Sequence, residues 1–288
     1  MTDLQIPNWH FMLDKIYPDL KGSVRQAADL LRKQNDRLAA MSIVEIAEAA
    51  DTSVSTIQRL CKAMGFKRFK DFKISLVQNA AGKGDSSQIE PGDDILVVKE
   101  KIFKNNIAAL KNTARILDEQ ELAKAIAMLQ EARGIELFAI GGSSALALDA
   151  MHKFLRIGIK CHCVSDVDHQ SKHAVLLGPG DVVIAISYSG KSIPLLENLA
   201  TAKERGASII AITGYGKSPL SKLADAALYS CSAESGFWGD LISKRIAQLT
   251  IIDTLFLGLS LTDYERYSQN IHLTQGITER YKRKSPAE

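Results

Sequence analysis

The strand, turn and helix predicted over residues 180–202 constrain the fold of this chain most strongly. Residues 181–186 form an almost unbroken apolar run rich in β-branched residues, which is typical of a strand buried on both faces of a parallel sheet. A serine-rich turn follows, and a helical pattern begins at Ile193, with Pro194 in its first turn. Unpaired amides, hydroxyl groups and the positive end of the helix dipole converge in such a turn. The segment therefore predicts an anion site, and a phosphate ester is the ligand class that suits it.

The turn itself, residues 187–192, differs from the common nucleotide-binding loops. Its sequence SYSGKS does not have the lysine and spacing of a nucleotide P-loop, and it is not GxGxxG. One glycine and three serines favour a small cradle that surrounds a phosphate with hydroxyl groups. The alternative is a serine-rich turn that only caps its helix through Ser192.

The second half of the chain alternates between strand and helix patterns. Further strands, separated by helical segments, are predicted at 135–140, 159–164, 208–213 and 226–230. This alternation favours a three-layer α/β domain built on a parallel five-stranded sheet. A second turn, Gly141-Gly142-Ser143-Ser144, follows the first of these strands. Because ligands of such sheets bind at the carboxyl ends of strands near a switch in strand order, we expect both turns to face one crevice.

Residues 21–81 have a helical pattern throughout. One apolar stripe consists of Ile43, Ile46, Ala47 and Ala50, and a second, after residues 51–53, consists of Ile57, Leu60, Cys61 and Met64. Helix, short turn and helix form a common DNA-binding unit, whose second helix enters the major groove. This arrangement predicts an all-α helix-turn-helix domain at the amino terminus. The alternative is a small helical module used for protein contacts.

The outward face of the second helix is polar. With the apolar stripe inward, Ser55, Arg59 and Lys62 point outward, flanked by Thr56 and Gln58, and these side chains suit base contacts. The cations that follow the helix suit phosphate contacts, and only Asp71 opposes them. The complete set of DNA-binding candidates is Ser53, Ser55, Thr56, Gln58, Arg59, Lys62, Lys67, Arg68 and Lys70, with Lys73 as a further local cation.

Length and composition fit a two-domain soluble protein. The chain has 288 residues, 46% of them hydrophobic and 24% charged, and its net charge of +3 is too small to identify a partner. We predict a helix-turn-helix domain at 1–81, a linker at 82–94 and an α/β domain with flanking helices at 95–288. No apolar run approaches the ~18 residues of a membrane span and no signal peptide is evident, so a cytoplasmic location is expected. The four cysteines contain no CxxC motif and are expected to be reduced core residues, and no metal site or cofactor is predicted.

Two resemblances add to these predictions. Residues 47–73, AEAADTSVSTIQRLCKAMGFKRFKDFK, resemble the helix-turn-helix of the RpiR family of bacterial sugar-catabolism regulators, although Asp51 stands where many such proteins have Gly. Asp tolerates the positive φ that this position is expected to need. Residues 135–260 resemble the sugar isomerase (SIS) domain, a flavodoxin-like fold, through the motifs GGSS, SYSGKS, ITG and SKRIAQLTIIDTLF.

The resemblance implies which residues hold a ligand. Ser187, Ser189 and Ser192 would hold the phosphate with the amides of Gly190 and Lys191. From the other turn, Gly142 with Ser143 or Ser144 would contact phosphate or sugar, and Glu234 is a further candidate. Tyr188 and Lys191 depart from the acidic residue or Gln that family members often carry in this turn.

The function implied is that of a DNA-binding transcriptional regulator of sugar catabolism. A sugar phosphate in the SIS domain would control operator binding, and a homodimer or homotetramer is expected because two-fold operators require a two-fold protein. The alternative is a phosphosugar isomerase or lyase whose base is among Glu234, Asp166, Asp168, His169 and His173. A third possibility is a sugar-phosphate module that acts through a protein partner. The polar tail, 264–284, would assemble subunits or only solvate the carboxyl terminus.

Overall fold

The computed structural model describes residues 9–33, 38, 41–66, 68–80, 89–232 and 239–282. The chain divides into two compact units, Met1–Ala108 with Ser232–Ser243, and Ala109–Cys231 with Lys244–Glu288. The first helix beyond the predicted linker, Ile95–Ile116, contributes residues to both units. The domain boundaries given above stay predictions.

The amino-terminal unit is helical. Its helices are α1 (Trp9–Ile16), α2 (Gly22–Lys33), α3 (Ile43–Ala49), α4 (Val54–Ala63) and α5 (Phe69–Ala80). The two predicted apolar stripes are buried except for the half-buried Ile43, and Ile46, Ile57 and Leu60 are fully inaccessible to solvent. Phe72 lies at the centre of an aromatic cluster, with ring centroids 5.5–5.9 Å from those of Phe66, Trp9 and Phe69. The predicted succession of helix, turn and helix is confirmed.

Local hydrogen bonds fix where α3 and α4 begin. Ser42 and Glu45 form a capping box at the start of α3. The turn between the helices contains Asp51 at φ +48°, the one positive φ outside glycine among the described residues. Ser53 then caps α4 by accepting a hydrogen bond from the Thr56 amide at 3.2 Å. The positive φ expected at Asp51 is therefore confirmed.

The second unit contains the predicted α/β domain. Its strands are β1 (Gly134–Ala139), β2 (Cys161–Val164), β3 (Asp181–Ser187), β4 (Ser208–Gly214) and β5 (Ala226–Ser230). Its helices, after α6 (Ile95–Ile116), are α7 (Glu119–Glu131), α8 (Ser144–Arg156), α9 (Val167–Leu176), α10 (Ile193–Glu204), α11 (Pro219–Leu223), α12 (Gly239–Thr262) and α13 (Tyr264–Lys282).

The five strands are parallel in the order β2-β1-β3-β4-β5. Alternate residues along each strand enter two separate apolar layers. Leu137 and Ile184 belong to the layer that includes buried residues of α8 and α12, whereas Phe138 and Val183 belong to the layer of α9 and α10. Because both faces are covered, the central strands are apolar along nearly their whole length, as predicted. The strand order reverses between β1 and β3, which is where ligands bind in such sheets.

Helix α12 corrects one expectation. Residues Ser243–Thr262 are long and apolar enough to cross a membrane by length and composition, with a mean hydropathy of 1.2, so the statement that no run approaches that length is wrong. The same pattern is typical of a core helix. In α12 the buried side chains Ile251, Ile252, Leu255 and Leu259 form part of the core of the α/β domain.

The carboxyl-terminal helix α13 packs on the end of α8. Tyr267 is buried, and Asn270 Nδ2 donates a hydrogen bond of 2.8 Å to the carbonyl oxygen of Ile157. Gly158 has φ +80°, and a Cβ there would lie 2.5 Å from Asn270 Nδ2. Both the backbone conformation and the close approach therefore require glycine. The tail as far as Thr274, whose Oγ1 donates to the Arg156 carbonyl oxygen at 3.3 Å, thus packs on the domain and does more than solvate the carboxyl terminus.

Cys61 and Cys231 are buried core residues, as predicted. No disulfide joins the four cysteines, all of which are among the described residues. Cys161 and Cys163 are half-buried on one side of β2, where they pack against the core. Burial raises the pKa of Cys161 to about 11, which disfavours the thiolate.

Candidate functional site

The turn that follows β3, residues 187–192 and hereafter the β3 turn, is closed by its own serines. Ser187 Oγ accepts a hydrogen bond from the Gly190 amide, and Ser189 Oγ accepts one from the Lys191 amide, both at 3.3 Å. A hydroxyl oxygen that accepts from an amide keeps its own hydrogen for donation. Both serines can therefore donate to an anion while the turn stays in its present conformation.

Contacts with β4 and its following loop hold the β3 turn in place. The amide of Gly214 donates to the Tyr188 carbonyl oxygen at 2.9 Å, and that of Leu220 donates to the Gly190 carbonyl oxygen at 3.1 Å. Gly190 has φ +61°, and a Cβ at this position would lie 2.4 Å from Ser218 Oγ and 3.1 Å from Thr213 Oγ1. Only glycine combines this φ with so close an approach.

Helix α10 begins directly after the β3 turn, with Pro194 in its first turn as predicted. Ser192 is the N-cap residue, but its side chain makes no capping hydrogen bond within the described structure. The alternative in which this serine only caps the helix is therefore not what the structure contains. The first-turn amides of α10 face the same end of the sheet as the serine hydroxyls and add the positive end of the helix dipole.

The turn after β1, residues 141–144 and hereafter the β1 turn, is a second polar element at this end of the sheet. Gly141 has φ +61°, and residues 141–143 form a single 3-10 turn that leads into α8. Ser143 is the N-cap of α8 without a capping bond from its side chain. Ser144 Oγ donates to the Ala139 carbonyl oxygen at 3.4 Å, so this hydroxyl is partly engaged by the strand end.

The two turns lie side by side because their strands are neighbours. β1 pairs with β3 in parallel, and the last paired residues before the two turns are Ala139 and Ile186. This is also the point at which the strand order reverses. The expectation that both turns face one crevice at the switch point agrees with this topology.

Two cations near the start of α12 were missed from the sequence. Arg245 lies against the β1 turn, since a Cβ on Gly142 would meet Arg245 Nη2 at 2.8 Å. Lys244 Nζ lies 5.1 Å from the centroid of the Tyr188 ring in the β3 turn. Among the described residues no ion pair engages either side chain. The motif SKRIAQ, which contains both residues, contributed to the family resemblance. It gave no indication that its lysine and arginine contact the β3 and β1 turns.

Three of the candidate catalytic bases are engaged in other contacts. Asp166 caps α9 by accepting from the His169 amide at 2.9 Å, and Asp168 pairs with Lys172, which lowers the pKa of that carboxyl. His173 Nδ1 is bonded to a buried glutamate of β1 at 3.1 Å. His169 is exposed and lines a cavity beside β2, and Glu234 lies outside the described residues.

The candidate DNA-facing surface on α4 differs from the prediction at one residue. Ser55, Gln58, Arg59 and Lys62 are exposed, as the helical pattern indicates. Thr56 is buried, with 2% of its surface exposed, and its Oγ1 accepts a hydrogen bond of 3.1 Å from Arg59 Nη2. The expectation that Thr56 flanks the exposed face is therefore wrong, because its hydroxyl bonds both the N-cap Ser53 and the Arg59 guanidinium.

The residues after α4 extend this surface. A cleft of about 280 Å³ is lined by Gln58, Lys62 and Arg68 together with the aromatic rings of Phe66 and Phe69. Lys70 is exposed, and Arg68 pairs only loosely with Asp71 at 3.6 Å. Lys73 is the exception, because its ammonium group donates to the backbone carbonyls of Leu38 and Met41 and burial lowers its pKa. Lys67 lies outside the described residues.

Both regions match known protein families. Residues 11–83 match the helix-turn-helix domain of the rpiR family, and residues 128–258 match the SIS domain. An uncharacterised HTH-type transcriptional regulator of Caldanaerobacter subterraneus is 39% identical over 237 residues, which cover 80% of this chain and 83% of that relative. The chain belongs to the RpiR family of transcriptional regulators. The family resemblance seen in the sequence is thereby confirmed.

Two further proteins are similar to this RpiR-family chain. The HTH-type transcriptional regulator HexR of Pseudomonas aeruginosa is 33% identical over 245 residues, covering 84% of this chain and 86% of HexR. The structure of the Vibrio vulnificus NanR protein complexed with ManNAc-6P has a TM-score of 0.62 and 23% identity, covering 95% of this chain and 99% of that one. The second likeness shows that the two proteins share a fold.

Proposed function

We propose that this RpiR-family regulator binds a sugar phosphate between its β1 and β3 turns and that the bound ligand controls operator binding. The observation that carries the proposal is the convergence of two serine-rich turns at the strand-order switch, with Lys244 and Arg245 beside them. Hydroxyl donors, helix-terminus amides and two cations are the groups that a phosphate dianion needs. The shared fold with a protein complexed with ManNAc-6P supports the same class of ligand.

The phosphate is assigned to the β3 turn, with Ser187, Ser189 and Ser192 donating from their hydroxyl groups. The amides of Gly190 and Lys191 in the same turn, which now donate to the Ser187 and Ser189 hydroxyls at 3.3 Å, would be shared with the phosphate, and helix α10 adds the positive end of its dipole. Gly142, Ser143 and Ser144 of the β1 turn contact phosphate or sugar. Lys244 and Arg245 then lie at the rim, where they balance the charge of the ligand. Glu234 is retained as a contact with the sugar.

DNA is assigned to the exposed face of α4 and the residues that follow it. Ser55, Gln58, Arg59 and Lys62 contact base edges, while Ser53 and Arg68 with Lys67 and Lys70 contact phosphates. Thr56 supports this surface by orienting Arg59 through its hydrogen bond. A homodimer or homotetramer places two such units on a two-fold operator, and ligand binding changes how they span the half-sites. Such a regulator works in the cytoplasm.

An enzymatic role is the weaker candidate. An isomerase or lyase needs a base within hydrogen-bonding reach of the substrate carbon. Asp166, Asp168 and His173 are engaged in a helix cap, an ion pair and a bond to a buried carboxylate. The named relatives are transcriptional regulators. We therefore infer that the ligand is bound and released unchanged.

A thermal-shift screen against a panel of sugar phosphates tests the ligand assignment. A ligand present at 100 times its Kd stabilises the folded protein by about 2.7 kcal/mol. The double variant Ser187→Ala, Ser189→Ala removes two donors whose charge-assisted bonds contribute about 1.5–3 kcal/mol each, so its affinity should fall by roughly two to four decades. Ser165→Ala, at the end of the neighbouring strand β2, is the matched control and should retain the parent affinity.

Operator binding by the same double variant shows whether the ligand site and the DNA-binding surface are distinct. Operator affinity of the double variant without ligand should stay within severalfold of the parent, while the sugar phosphate no longer changes it. A double variant that the same ligand still switches at the same concentration would contradict the assignment of the β3 turn. Long incubation of the best ligand at high protein concentration should return it unchanged by NMR, whereas a new isomer or cleavage product would establish the enzyme.

A further inference from the structure

Helix α9 carries a fully buried glutamine at the carboxyl end of the sheet. Gln170 has 0% of its surface exposed. Its Nε2 donates to the carbonyl oxygen of Ala139, the last residue of β1, at 3.0 Å and to that of Val164, the last residue of β2, at 2.7 Å. Both hydrogens of the amide are therefore in use, one at the end of each strand. Because β1 and β2 are neighbours in the sheet, Gln170 ties their carboxyl ends together.

The amide group of Gln170 has one favourable orientation. If it were turned over, its Oε1 would lie against two carbonyl oxygens, and no hydrogen would be available between them. In the present orientation Oε1 is buried and has no hydrogen-bond partner among the described residues. A methionine of similar length would fill the same space without an unpaired acceptor. The property that distinguishes glutamine at this position is its pair of donors.

The Ala139 carbonyl group lies where the β1 turn begins. Ile140 follows it, and Gly141 is the first residue of the 3-10 turn. Because a peptide unit is planar, a hydrogen bond that fixes the Ala139 carbonyl also fixes the direction of the Ile140 amide. Ser144 Oγ donates to the same oxygen at 3.4 Å, so the bond from Gln170 is the shorter of the two. The direction in which the chain leaves β1 therefore depends on a side chain of α9.

Helix α9 is also bonded to the helix that follows the β3 turn. Ser171 Oγ lies 2.8 Å from Asn198 Oδ1 of α10 and 3.0 Å from the Val167 carbonyl oxygen of its own helix. Asn198 is buried, and its Nδ2 donates to the same carbonyl oxygen at 3.2 Å. Adjacent residues of α9 thus bond the end of β1 and the helix of the β3 turn. This helix therefore holds the two turns in a fixed relation.

We propose that Gln170 is a positioning residue of the sugar-phosphate site. Its side chain is fully buried, so it acts through the Ala139 carbonyl and sets the β1 turn at the distance from the β3 turn that a sugar phosphate needs. The proposal rests on the function proposed above and assigns the β1 turn to the sugar, with the phosphate held by the β3 turn. Loss of the two donors should weaken contacts with the sugar and leave the phosphate cradle in place.

Hydrogen exchange of the ligand-free, full-length protein tests the positioning role directly. Gln170→Met keeps the length of the side chain and removes both donors. Amides of residues 140–145 should then exchange about 10-fold faster than in the parent, since the net contribution of one hydrogen bond changes a local opening equilibrium by about that factor. Asp181→Asn is the matched control, because it breaks an ion pair at the amino end of β3 in the same domain and should leave these amides unchanged.

Ligand affinity supplies a readout that a general loss of stability would not move. The two probes are inorganic phosphate, followed by ³¹P NMR, and the sugar phosphate that stabilises the parent most in the thermal-shift screen. Gln170→Met should bind the sugar phosphate about 10-fold more weakly and inorganic phosphate within about threefold of the parent. Gln170→Glu loses at least one donor, so it should shift both measurements in the same direction, and it replaces the methionine variant if that variant does not fold.

Three results would overturn this role of Gln170. One is exchange of residues 140–145 in Gln170→Met at the parent rate. Another is an equal loss of affinity for both probes, because the whole site and not the β1 turn would then have changed. The third is the same loss of sugar-phosphate affinity in Asp181→Asn. A parent protein that binds none of the sugar phosphates contradicts the function proposed above, and the exchange comparison then still decides whether Gln170 sets the β1 turn.

Discussion

Replacing Gly190 by alanine should damage the β3 turn in two separable ways. The first is backbone strain, since φ at Gly190 is +61° and a side chain at this φ costs about 1–2 kcal/mol. The second is a steric conflict, because the new Cβ would lie 2.4 Å from Ser218 Oγ and 2.8 Å from Ser218 Cβ. Ser218 cannot move away easily: it is buried and its hydroxyl accepts from the Ser221 amide at 3.1 Å.

The chain offers controls that isolate each contribution. Gly141 also has φ +61°, but a Cβ there meets nothing within 4 Å, so Gly141→Ala reports the backbone strain alone. A Cβ at Gly276, within α13, would also meet nothing within 4 Å, so Gly276→Ala should instead raise the free energy of unfolding by about 0.5–1 kcal/mol. Overpacking typically costs about 1–3 kcal/mol, so Gly190→Ala should lower the free energy of unfolding by about 2–5 kcal/mol in total.

Urea unfolding with hydrogen exchange of peptides from β3 and β4 measures the effect in the α/β domain. This readout avoids assuming that a chain of two compact units unfolds in one step. Gly190→Ala should also bind a sugar phosphate more weakly, because the turn must shift to accommodate the methyl group. Equal free energies of unfolding for Gly190→Ala and Gly141→Ala would refute the reasoning, since the conflict with Ser218 would then cost nothing.

Three further predictions concern charged side chains. Arg59→Ala should weaken operator binding by about 1–3 kcal/mol and relax the sequence preference seen in gel shifts. Lys70→Ala should weaken binding to all DNA sequences alike and reduce the salt dependence of that binding. Asp181→Asn should destabilise by about 1–2 kcal/mol at pH 7, because it breaks the pair with the largely exposed Arg133. That pair lowers the pKa of Asp181, so its contribution is present above the ordinary carboxyl pKa of about 4 and is lost as pH falls below it, where variant and parent should converge in urea titrations. Arg245→Ala should weaken sugar-phosphate binding in calorimetry, with Arg245→Lys restoring part of it, and unchanged affinity would remove this cation from the site.

Most of the fold could be predicted because local and global preferences agree along the sheet. The apolar run of β3 is buried at every residue, and its helix begins at Ile193 as the pattern indicates. The positive φ of Asp51 was also predictable, since few residues tolerate it. These features depend on residues close together in sequence. The strand order could be expected only in outline, through the preference for a switch point beside the two turns.

Contacts between distant residues could not be predicted in the same way. Lys73 belongs to a basic segment, yet its ammonium group binds carbonyls that lie more than thirty residues earlier in the chain. Thr56 lies near the edge of the predicted polar face, and a rotation of the helix by a fraction of a turn decides whether it is buried. In both cases the pattern gives the residue type, while tertiary packing decides what the side chain touches.

The two cations of α12 show why a ligand site is harder to predict than the sheet that supports it. Lys244 and Arg245 are adjacent in sequence, so on a helix their side chains diverge by about 100°. That divergence lets one helix reach both turns, with Arg245 at Gly142 and Lys244 at Tyr188. Lys244 lies more than fifty positions after Tyr188 in the chain, and Arg245 about a hundred after Gly142. A cation is therefore placed at each side of the crevice by the docking of a single apolar helix into the core, and the same buried face that anchors α12 orients the charges beside the proposed phosphate site.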